Sequence, residues 1–479
     1  MTAPLDLLDA AARALAWPVA GGILLNQLDE LAVDLSFAAR RLAGGPAREV
    51  TRAALRLAPT RRIAILVPAW REAEVIGAML ERNLAAVDYP ADRLEFFCGT
   101  YRNDPETRAR VDEVARRHRQ VHPVVVPRDG PTSKADCLNA VWRGLLEEER
   151  RRAIRFDILV LHDAEDVIHP AALRLYASLV PRHEFVQTPV FSLTRRAGDW
   201  VAGTYLDEFA EHHLKELPVR AALGGLVPSA GVGTAFDRAA FEAVALADGG
   251  DPFDAGSLTE DYEIGLRFRL AGRRVHFACQ ALAPEGGGRR RGPRDWIATR
   301  EFFPRRFSAS VRQRSRWITG IALQTAERVG WRGSAPVRWC LWRDRKSPLT
   351  NGLLVLAYAL FLYVLLRAAL AAATGGSWSV ASVVPAEGPL AWVVAFNTAA
   401  LGWRGLVKAW FVGRLYGPLQ AALSVPRLVV GNVIALAATA RALRAWTRHR
   451  LAGTPLAWAK TSHEYPPPAA PTPDAMKPV

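Results

Sequence analysis

Residues 156–166 read FDILVLHDAED, and they join an apolar run to a cluster of acids. The apolar part has the length and branched side chains of a buried strand, and it stops at Asp163, Glu165 and Asp166. In an open α/β sheet, ligands bind in the crevice beyond the carboxyl ends of the strands. Clustered carboxylates repel one another unless a cation lies among them, and Mg²⁺ prefers carboxylate and phosphate oxygens. The stretch therefore predicts an enzyme that holds a phosphorylated substrate through a divalent metal.

Apolar strands alternate with helical patterns through the first third of the chain. Four runs have the length and composition of strands, at 63–68, 94–100, 121–126 and 157–161. Helical patterns follow from about 72, after 105, and over 136–150. This order predicts a parallel, doubly wound α/β sheet. The glycine-rich patterns of dinucleotide and P-loop sites do not occur in the sequence, and acids or amides follow the strands instead, at Glu72, Asn103, Asp104 and Asp163.

Composition and charge indicate a membrane-associated protein. The chain has 479 residues, 50% of them hydrophobic, which allows two to three domains. A net charge of +15 would suit either nucleic acid or a membrane surface. The arginines gather beside apolar segments, at 40–62 and 404–450, which favours membrane lipids over nucleic acid as partners. The 4 cysteines are scattered without a CxxC pair, which indicates reduced thiols of a cytoplasmic domain.

Three segments are candidates for membrane helices, since a crossing needs about 20 mostly apolar residues. They lie at 353–373, at 390–403 and, more weakly, at 10–28, where a buried core helix is the alternative. No basic region precedes the first segment, so it does not resemble a cleavable signal peptide.

The distribution of Lys and Arg orients these segments. Arginines follow the first segment and dominate the tail after 441, whereas the loop 374–389 has none. We therefore expect an outward N-terminus, a transmembrane helix at 1–41, a cytoplasmic domain at 42–348, and two transmembrane helices at 349–403. We expect interfacial or re-entrant amphipathic helices at 404–450. The alternative is a third crossing after residue 348, at 419–440. A gating-like loop and a disordered tail would follow at 451–479.

Five short motifs, in order along the chain, resemble those of inverting family-2 glycosyltransferases. VPAWREA at 67–73 is similar to their VPxxNE opening, KADCLN at 134–139 to KAxxLN, and DAED at 163–166 to the DxD metal motif. TED at 259–261 resembles their catalytic-base motif, and QRSRW at 313–317 the QxxRW signature of membrane-bound processive members. The resemblance implies a GT-A fold, a Rossmann-like α/β domain that binds a nucleotide sugar, here joined to α-helical transmembrane segments.

Within that family the chain is most similar to the NfrB-like group of processive polysaccharide synthases. The HDAED form of the metal motif, RDRK at 343–346 and WAKTSH at 458–463 carry this likeness. The resemblance implies a multi-pass protein of the bacterial inner membrane that takes part in exopolysaccharide synthesis, with an outer-membrane export partner and a role as a phage receptor.

The sequence departs from the family pattern at two motifs. Arg71 stands where the family often has Asn, so only Glu72 is carried over from the first motif. In DAED, Glu165 and Asp166 compete as the second metal ligand after Asp163. Little chain remains after the membrane part for the cyclic-di-GMP sensor that longer relatives carry, which puts control by that nucleotide in doubt.

The resemblance implies metal and base roles for the acids. Asp163 with Glu165 or Asp166 would hold Mg²⁺ or Mn²⁺ against the diphosphate, unless this acidic loop only caps the following helix. Asp261 would accept the proton of the acceptor hydroxyl, with Glu260 beside it in the motif. Thr259 and the acids after it also resemble a helix start, and a helix terminus would hold the base rigidly.

Other motif residues would bind the donor or the acceptor. One face of an interfacial helix would carry Gln313, Arg316 and Trp317. Arg316 would contact the diphosphate and Trp317 the acceptor sugar. The alternative is that Arg316 and Trp317 only anchor the helix at the membrane interface. Lys134 would reach a phosphate or ribose, or lie solvated. The roles of nucleotide binding fall to Glu72, Asn103 and Asp104. Residues 458–463 resemble a gating loop, in which Lys460 and Thr461 would touch the diphosphate, whereas His212 and His213 fit a helix surface.

The sequence therefore predicts a metal-dependent inverting glycosyltransferase that extends a polysaccharide or lipid-linked acceptor. Two alternatives stay open, namely a catalytically idle platform in an export or receptor complex, and a single-sugar transferase acting on a lipid carrier. Intact acids at every motif position argue against the first, and QxxRW argues against the second. The central expectation is that Asp163 and Asp261 meet in one cavity.

Overall fold

The structure is a computed structural model that describes residues 3–44, 49–247, 249–284, 293–456 and 463–467. The strands are β1 (Glu49–Val50), β2 (Ile63–Pro68), β3 (Leu94–Tyr101), β4 (Val121–Val126), β5 (Ile158–Leu161), β6 (Phe185–Gln187), β7 (Val190–Ser192), β8 (Thr234–Asp237), β9 (Val275–Phe277), β10 (Ala281–Leu282), β11 (Asp295–Trp296) and β12 (Thr299–Glu301).

The helices are α1 (Ala3–Leu42), α2 (Arg52–Arg56), α3 (Ile76–Ala86), α4 (Pro105–Arg117), α5 (Lys134–Arg152), α6 (Ala172–Leu179), α7 (Trp200–Glu211), α8 (Leu217–Ala222), α9 (Arg238–Leu246), α10 (Glu260–Leu270), α11 (Phe307–Trp317), α12 (Thr325–Val329), α13 (Ala335–Arg345), α14 (Ser347–Thr374), α15 (Pro389–Tyr416) and α16 (Pro418–Ala452). Two π-helical segments, His212–Glu216 and Ile318–Gln324, join α7 to α8 and α11 to α12.

A seven-stranded sheet in the order β4-β3-β2-β5-β8-β6-β9 forms the centre of the α/β domain, residues 49–346. The first four strands in this order are parallel, as predicted, and β8 runs antiparallel to both of its neighbours. Strands β2, β3 and β5 are buried along their whole length because hydrophobic side chains and helices cover both faces of the sheet. Since these three strands are parallel, the loops after them meet at one edge.

The helices on the sheet begin at residues that satisfy their first backbone N–H groups. The Ser133 hydroxyl accepts a hydrogen bond from the N–H of Asp136 at the start of α5, and the Asp104 carboxylate accepts one from Thr107 at the start of α4. Helix α3 begins at Ile76 rather than near Glu72, because Arg71 adopts a left-handed backbone conformation with φ of 55° and a turn follows it.

Within the described residues, four helices are long and apolar enough to cross a bilayer: Pro4–Leu42 within α1, α14, α15 and α16. The expected boundary at 403 falls inside α15, which continues to Tyr416. The chain turns only at Gly417, where φ is 84° and Pro418 begins the next helix. Residues 418–452 then form a single helix, so the predicted region 404–450 is divided between the end of α15 and α16.

Helices α1, α14 and α15 pack into a bundle at the end remote from the α/β domain. Small side chains of α1, including Ala12 and Ala16, contact Leu390 of α15 and apolar residues of α14. There the carboxylate of Asp9 accepts hydrogen bonds from Arg367 and Tyr363 of α14. Polar groups inside a bundle of apolar helices are stable only when they are paired in this way.

A network of paired charges joins the helices to the α/β domain at the other end of the bundle. The pairs are Arg343–Asp29 and Lys215–Asp34 at 2.6 Å, Lys408–Glu211 at 2.9 Å, and Arg404–Glu211 at 3.0 Å. Removing one partner of a buried ion pair leaves an uncompensated charge, so this network fixes the orientation of the domain on the helices.

Both ends of α16 contact the α/β domain. Near its start Arg427 forms two hydrogen bonds with the carboxylate of Asp207 in α7, and near its end Arg450 pairs with Glu327 in α12. Farther along the chain, His463 lies beside Glu72 of the same domain. Helix α16 therefore begins and ends on the side of the bundle that carries the α/β domain.

Candidate active site

A cavity of about 130 Å³ opens at the sheet edge where β2 and β5 end. We call it the acidic cavity because five carboxylates from four separate segments line it: Glu72, Asp163, Glu165, Asp261 and Glu301. Lys134, Gln313, Arg316, Trp317 and His463 line it as well. The structure thus brings Asp163 and Asp261, which are almost 100 residues apart, into one cavity.

Lys134, the first residue of α5, lies between the two groups of acids. Its Nζ is 2.5 Å from Oδ1 of Asp163. Burial lowers the pKa of Lys134, but attraction from Asp163, Glu260 and Asp261 outweighs burial and raises that pKa overall. The side chain is mostly buried, so the alternative of a solvated surface lysine does not describe it.

The turn after β5 sends its acids in different directions. Glu165 lines the acidic cavity, whereas Asp166 is fully buried behind the turn. One oxygen of Asp166 contacts Nδ1 of His162 at 2.7 Å and accepts the N–H of Asp163 at 3.0 Å. Of the two candidates for the second metal ligand, the structure therefore places Glu165 at the cavity and uses Asp166 to hold the turn.

Glu301 is an acidic residue of this cavity that the sequence did not indicate. It ends β12, a strand that pairs in parallel with β7 and belongs to none of the five sequence motifs. Burial and repulsion from Asp166, Glu165 and Asp163 raise the pKa of Glu301 well above its usual range. A single Glu in the stretch TRE carries no local signal, so only the pairing of β12 with β7 reveals its place.

His463 approaches the cavity from the C-terminal segment. Its Nδ1 is 2.9 Å from Oε1 of Glu72 and 3.2 Å from Oε2 of Glu165. Burial lowers the pKa of an imidazole, but attraction from Glu165 and Glu72 raises the pKa of His463 well above its usual value. Tyr465 then packs against the hydrophobic core of the α/β domain. Lys460 and Thr461 of the expected gating loop lie outside the described residues.

Asp261 lies in the first turn of α10 and is backed by a glycine. A Cβ atom on Gly231, where φ is +77°, would lie 2.6 Å from Oδ2 of Asp261. Burial raises the pKa of Asp261, although Lys134 and Arg316 attract its charged form. Glu260 is buried beside it without lining the cavity, and burial and repulsion from Asp261 raise the pKa of Glu260. The helix start predicted at Thr259 is present, and it positions the carboxylate of Asp261.

The QRSRW segment forms the last turns of α11. Gln313 Oε1 accepts a hydrogen bond of 2.8 Å from the hydroxyl of Tyr205, and Trp317 meets the ring of Tyr205 edge-on. The π-helical segment that follows brings Gly320 so close to Thr259 that no side chain would fit at Gly320. This close approach locks the QRSRW helix against the TED motif. Helix α11 also packs on α16.

Aromatic rings complete one wall of the cavity. Phe209 and Phe303 lie beside Trp317, and their ring centroids are 4.7 Å apart. His213 stacks on Phe209 at 5.2 Å between centroids and is buried, so the expectation that it lies on a helix surface is wrong. The π-helical turn at 212–216 rotates this histidine inward, whereas His212 is partly exposed and pairs with Glu216.

Of the predicted nucleotide-binding residues, only Glu72 lines the cavity. The Asp104 carboxylate accepts the N–H of Arg71 at 2.5 Å and caps α4, and Asn103 exchanges two hydrogen bonds with the backbone of Gly130. These two residues therefore shape the loops around the cavity. Trp70 and Tyr101, which meet edge-on at 4.9 Å, are the aromatic residues that line its other side.

The acids of the cavity fit a divalent metal. One oxygen each from Glu72 and Glu165 and one nitrogen of His463 lie within 4.8 Å of one another. The buried Oε2 of Glu165 lies 3.2 Å from Nδ1 of His463 and has no contact of good hydrogen-bond geometry with the described residues. Oxygen ligands of this charge density suit Mg²⁺ or Mn²⁺, and Asp163 lines the same cavity.

A Rossmann-like sheet with an acid-lined cavity at its carboxyl edge, facing a basic and aromatic helix, is the arrangement of GT-A glycosyltransferases. The sequence model of the family described as "Glycosyltransferase like family 2" matches residues 59–320, which is more than half of the chain. The chain therefore belongs to this family. The predicted resemblance is thereby confirmed.

Relatives of known name carry the similarity beyond the α/β domain. The chain is 42% identical over 414 residues to "Bacteriophage adsorption protein B" of Escherichia coli K12 and to "Bacteriophage N4 adsorption protein B" of Escherichia coli O157:H7. The match covers 84% of this chain and 55% of each relative, so the chain spans about half the length of the curated relatives it matches.

A solved structure has the same fold. It is the mannosyltransferase PcManGT from Pyrobaculum calidifontis in complex with GDP-Man and Mn²⁺, and its TM-score to this chain is 0.51. The match is 18% identical in sequence and covers 90% of this chain and 99% of the mannosyltransferase chain. This likeness confirms the predicted GT-A fold.

Proposed function

We propose that this chain transfers a sugar, with inversion, from a nucleotide-sugar donor to a growing exopolysaccharide or lipid-linked acceptor at the bacterial inner membrane. The observation that carries the proposal is the meeting of Asp163 and Asp261 in one cavity with Lys134 close to both. Such a cavity offers one group of residues for a leaving diphosphate and another for an attacking hydroxyl.

The donor end of the cavity is the acidic turn with Glu72. Asp163 and Glu165 would hold a divalent metal there, with Glu301 and His463 adjacent, and bound metal would neutralise charge on the leaving diphosphate. The solved mannosyltransferase, which contains GDP-Man and Mn²⁺, supports this assignment. Lys134, which pairs with Asp163, would contact a phosphate oxygen of the donor from the same position. Trp70 and Tyr101 provide flat apolar surfaces for the nucleotide base.

Asp261 acts as the general base. Its carboxylate takes the proton of the acceptor hydroxyl while the oxygen forms a bond to the anomeric carbon and the bond from that carbon to the diphosphate breaks. Because the attack comes from the face opposite the leaving group, one displacement inverts the configuration. Gly231 and the N-terminus of α10 keep the carboxylate in place, and Arg316 balances its charge.

The acceptor lies against the aromatic wall. Trp317, Phe209 and Phe303 present rings on which a sugar can stack, and Gln313 offers an amide to its hydroxyls. Trp317 and Phe209 lie on α11 and α7, which both pack against α16, so the acceptor leaves the cavity close to the bilayer. An outer-membrane export partner, suggested by the phage-adsorption names of the relatives, stays a prediction.

The contacts of α16 support three crossings, by α1, α14 and α15. A helix with ion pairs to the same domain near both of its ends does not carry the chain across a bilayer, so α16 lies along the interface. The prediction placed the whole of 404–450 there, whereas residues 404–416 belong to α15. Reporter enzymes active on one side only, fused at Glu387 and after Val479, should report opposite sides. The same side for both would exclude this topology.

Membrane vesicles that contain the chain, supplied with labelled UDP- and GDP-sugars, test the proposed activity. We expect incorporation of label with Mg²⁺ or Mn²⁺ and its loss on chelation. Asp261→Asn should lower the rate about 10²–10⁴-fold, the usual contribution of a general base. Asp251→Asn is the matched control, since Asp251 is partly exposed, pairs with Arg143 and does not line the cavity. Full activity of Asp261→Asn would remove the assignment of the base.

A further inference from the structure

A second cavity, of about 610 Å³, lies where the ends of α1 and α15 meet the α/β domain. We call it the basic cavity because five arginines line it: Arg40, Arg41, Arg182, Arg294 and Arg414. Among the described residues no carboxylate lines it. It is several times larger than the acidic cavity and shares no lining residue with it.

The arginines of the basic cavity are not neutralised within the described part of the chain. Arg294 lies 3.5 Å from Glu49, but no ion pair joins Arg40, Arg41, Arg182 or Arg414 to any described carboxylate. Arg41 and Arg294 are close enough to Arg414 to repel it. Bringing like charges together costs free energy unless an anion lies among them.

The neighbouring charges on the same helices behave differently. Arg404 and Lys408 of α15 both pair with Glu211, and Asp34 of α1 pairs with Lys215. One or two turns further along α15 and α1, the unpaired arginines converge on the basic cavity. The excess of positive charge is therefore a property of this cavity and not of the whole junction.

Hydrogen-bond donors without acceptors point to the same kind of ligand. Trp296, which is 4% exposed, lines the basic cavity, and its indole N–H has no acceptor among the described residues. Nη1 of Arg294 also lacks one. Buried donors are nearly always satisfied, so an acceptor-rich ligand is expected here. Phosphate offers several oxygens to the planar fork of a guanidinium.

The position of the cavity indicates where the phosphate comes from. Phe37 of α1 and Trp410 of α15, both on candidate membrane helices, line it, and Trp410 is 45% exposed. Arg40 and Arg41 follow the apolar part of α1, where a cytoplasmic headgroup layer would lie. Exposed apolar side chains of α15, such as Leu406, continue away from the cavity and can cover an acyl chain.

We propose that the basic cavity binds the phosphate headgroup of an anionic membrane lipid, which seats the α/β domain on the bilayer. The ligand supplies the negative charge that the cavity lacks, and its acyl chains lie along α15. This proposal concerns binding and does not depend on the proposed glycosyl transfer.

Native mass spectrometry of the full chain, released from nanodiscs of mixed phosphatidylglycerol and phosphatidylcholine, tests the proposal. We expect the wild-type chain to retain phosphatidylglycerol selectively. Each arginine near an anionic surface contributes about fivefold to affinity, so the double variant Arg41→Gln, Arg414→Gln should bind phosphatidylglycerol about twenty-five-fold more weakly. The matched control is Arg444→Gln with Arg448→Gln, which removes the same charge from α16 outside the cavity.

Three results would overturn the proposal. An equal loss of phosphatidylglycerol binding in the α16 control would show that general surface charge causes the effect. Equal retention of phosphatidylcholine would show that the cavity binds lipid through apolar contacts and does not select the anionic headgroup. Displacement of phosphatidylglycerol by millimolar inorganic phosphate or glycerol 3-phosphate would identify a soluble phosphate as the ligand. If the double variant does not fold, the variant Arg182→Gln is used instead, because Arg182 is exposed on the α/β domain. Its affinity for phosphatidylglycerol should be about fivefold lower.

Discussion

Gly231→Ala tests whether the position of Asp261 sets the rate of transfer. A Cβ atom at 231 would lie 2.6 Å from Oδ2 of Asp261, whereas real Cβ contacts essentially never fall below 3.0 Å. The carboxylate must therefore move by several tenths of an ångström. Because misplacement of a reacting group by about 1 Å can cost 10²-fold, we expect kcat to fall by about tenfold to a hundredfold.

The backbone contributes a separate cost, which a second variant measures. Gly231 has φ of +77°, and an alanine in this region costs about 1–2 kcal/mol of stability. Gly272→Ala is the matched control, since Gly272 has φ of +71° and open space around its Cβ position. Both variants should lower the thermal unfolding midpoint by a similar small amount, and only Gly231→Ala should slow transfer.

Initial rates in detergent or vesicles at saturating donor, with metal present, provide the readout. A wild-type kcat for Gly231→Ala would refute the claim that the crowded carboxylate is the base. A loss of the same size in Gly272→Ala would show that the effect is global destabilisation. Lower donor affinity with unchanged kcat would place Asp261 on the donor side of the cavity.

Three further predictions concern the metal, the base and the interfacial helix. Glu165→Gln should raise the Mn²⁺ concentration needed for half-maximal activity, and Asp166→Asn should not. The reason is that, of these two acids, only Glu165 lines the cavity. An equal rise in both variants would contradict this placement. Burial raises the pKa of Asp261 above its usual value. Because a general base works as a carboxylate, kcat/KM should fall on acidification at a higher pH than for an ordinary aspartate. A fall only at or below the usual pKa of an aspartate would count against Asp261 as the base. Arg427→Leu leaves the buried Asp207 without this ion pair, so the free energy of unfolding should fall by about 3–5 kcal/mol, seen as a lower thermal midpoint. Adding Asp207→Asn to the Arg427→Leu variant should restore part of that stability. No restoration would exclude loss of the ion pair as the cause.

The placement of the basic cavity bears on how the acidic cavity is presented to its acceptor. Helix α15 contributes Arg414 and Trp410 to the basic cavity, and its Lys408 pairs with Glu211 at the end of α7. Helix α7 in turn carries Phe209 of the aromatic wall. A lipid headgroup bound at the junction would therefore hold the helix that carries part of the acceptor wall.

Several features could be predicted from local sequence because their cause is local. The strands at 63–68 and 158–161 follow from unbroken apolar runs that only a sheet covered on both faces can bury. The start of α10 at Glu260 follows from Thr259 and the acids after it. The motif residues Lys134, Asp163, Gln313 and Trp317 were expected in the site from their order along the chain, and all of them line the acidic cavity.

Other features arise only when distant segments pack, and no local pattern carries them. Glu301 reaches the acidic cavity because β12 pairs with β7, and His463 reaches it because the C-terminal segment returns to the α/β domain. The choice of Glu165 over Asp166 is set by a tight turn, in which His162 captures the second carboxylate. Helix α16 looks like a membrane span in length and composition, yet ion pairs at both of its ends hold it to the domain. Residue spacing determines which elements form, whereas the convergence of charges from remote elements depends on how those elements pack in space.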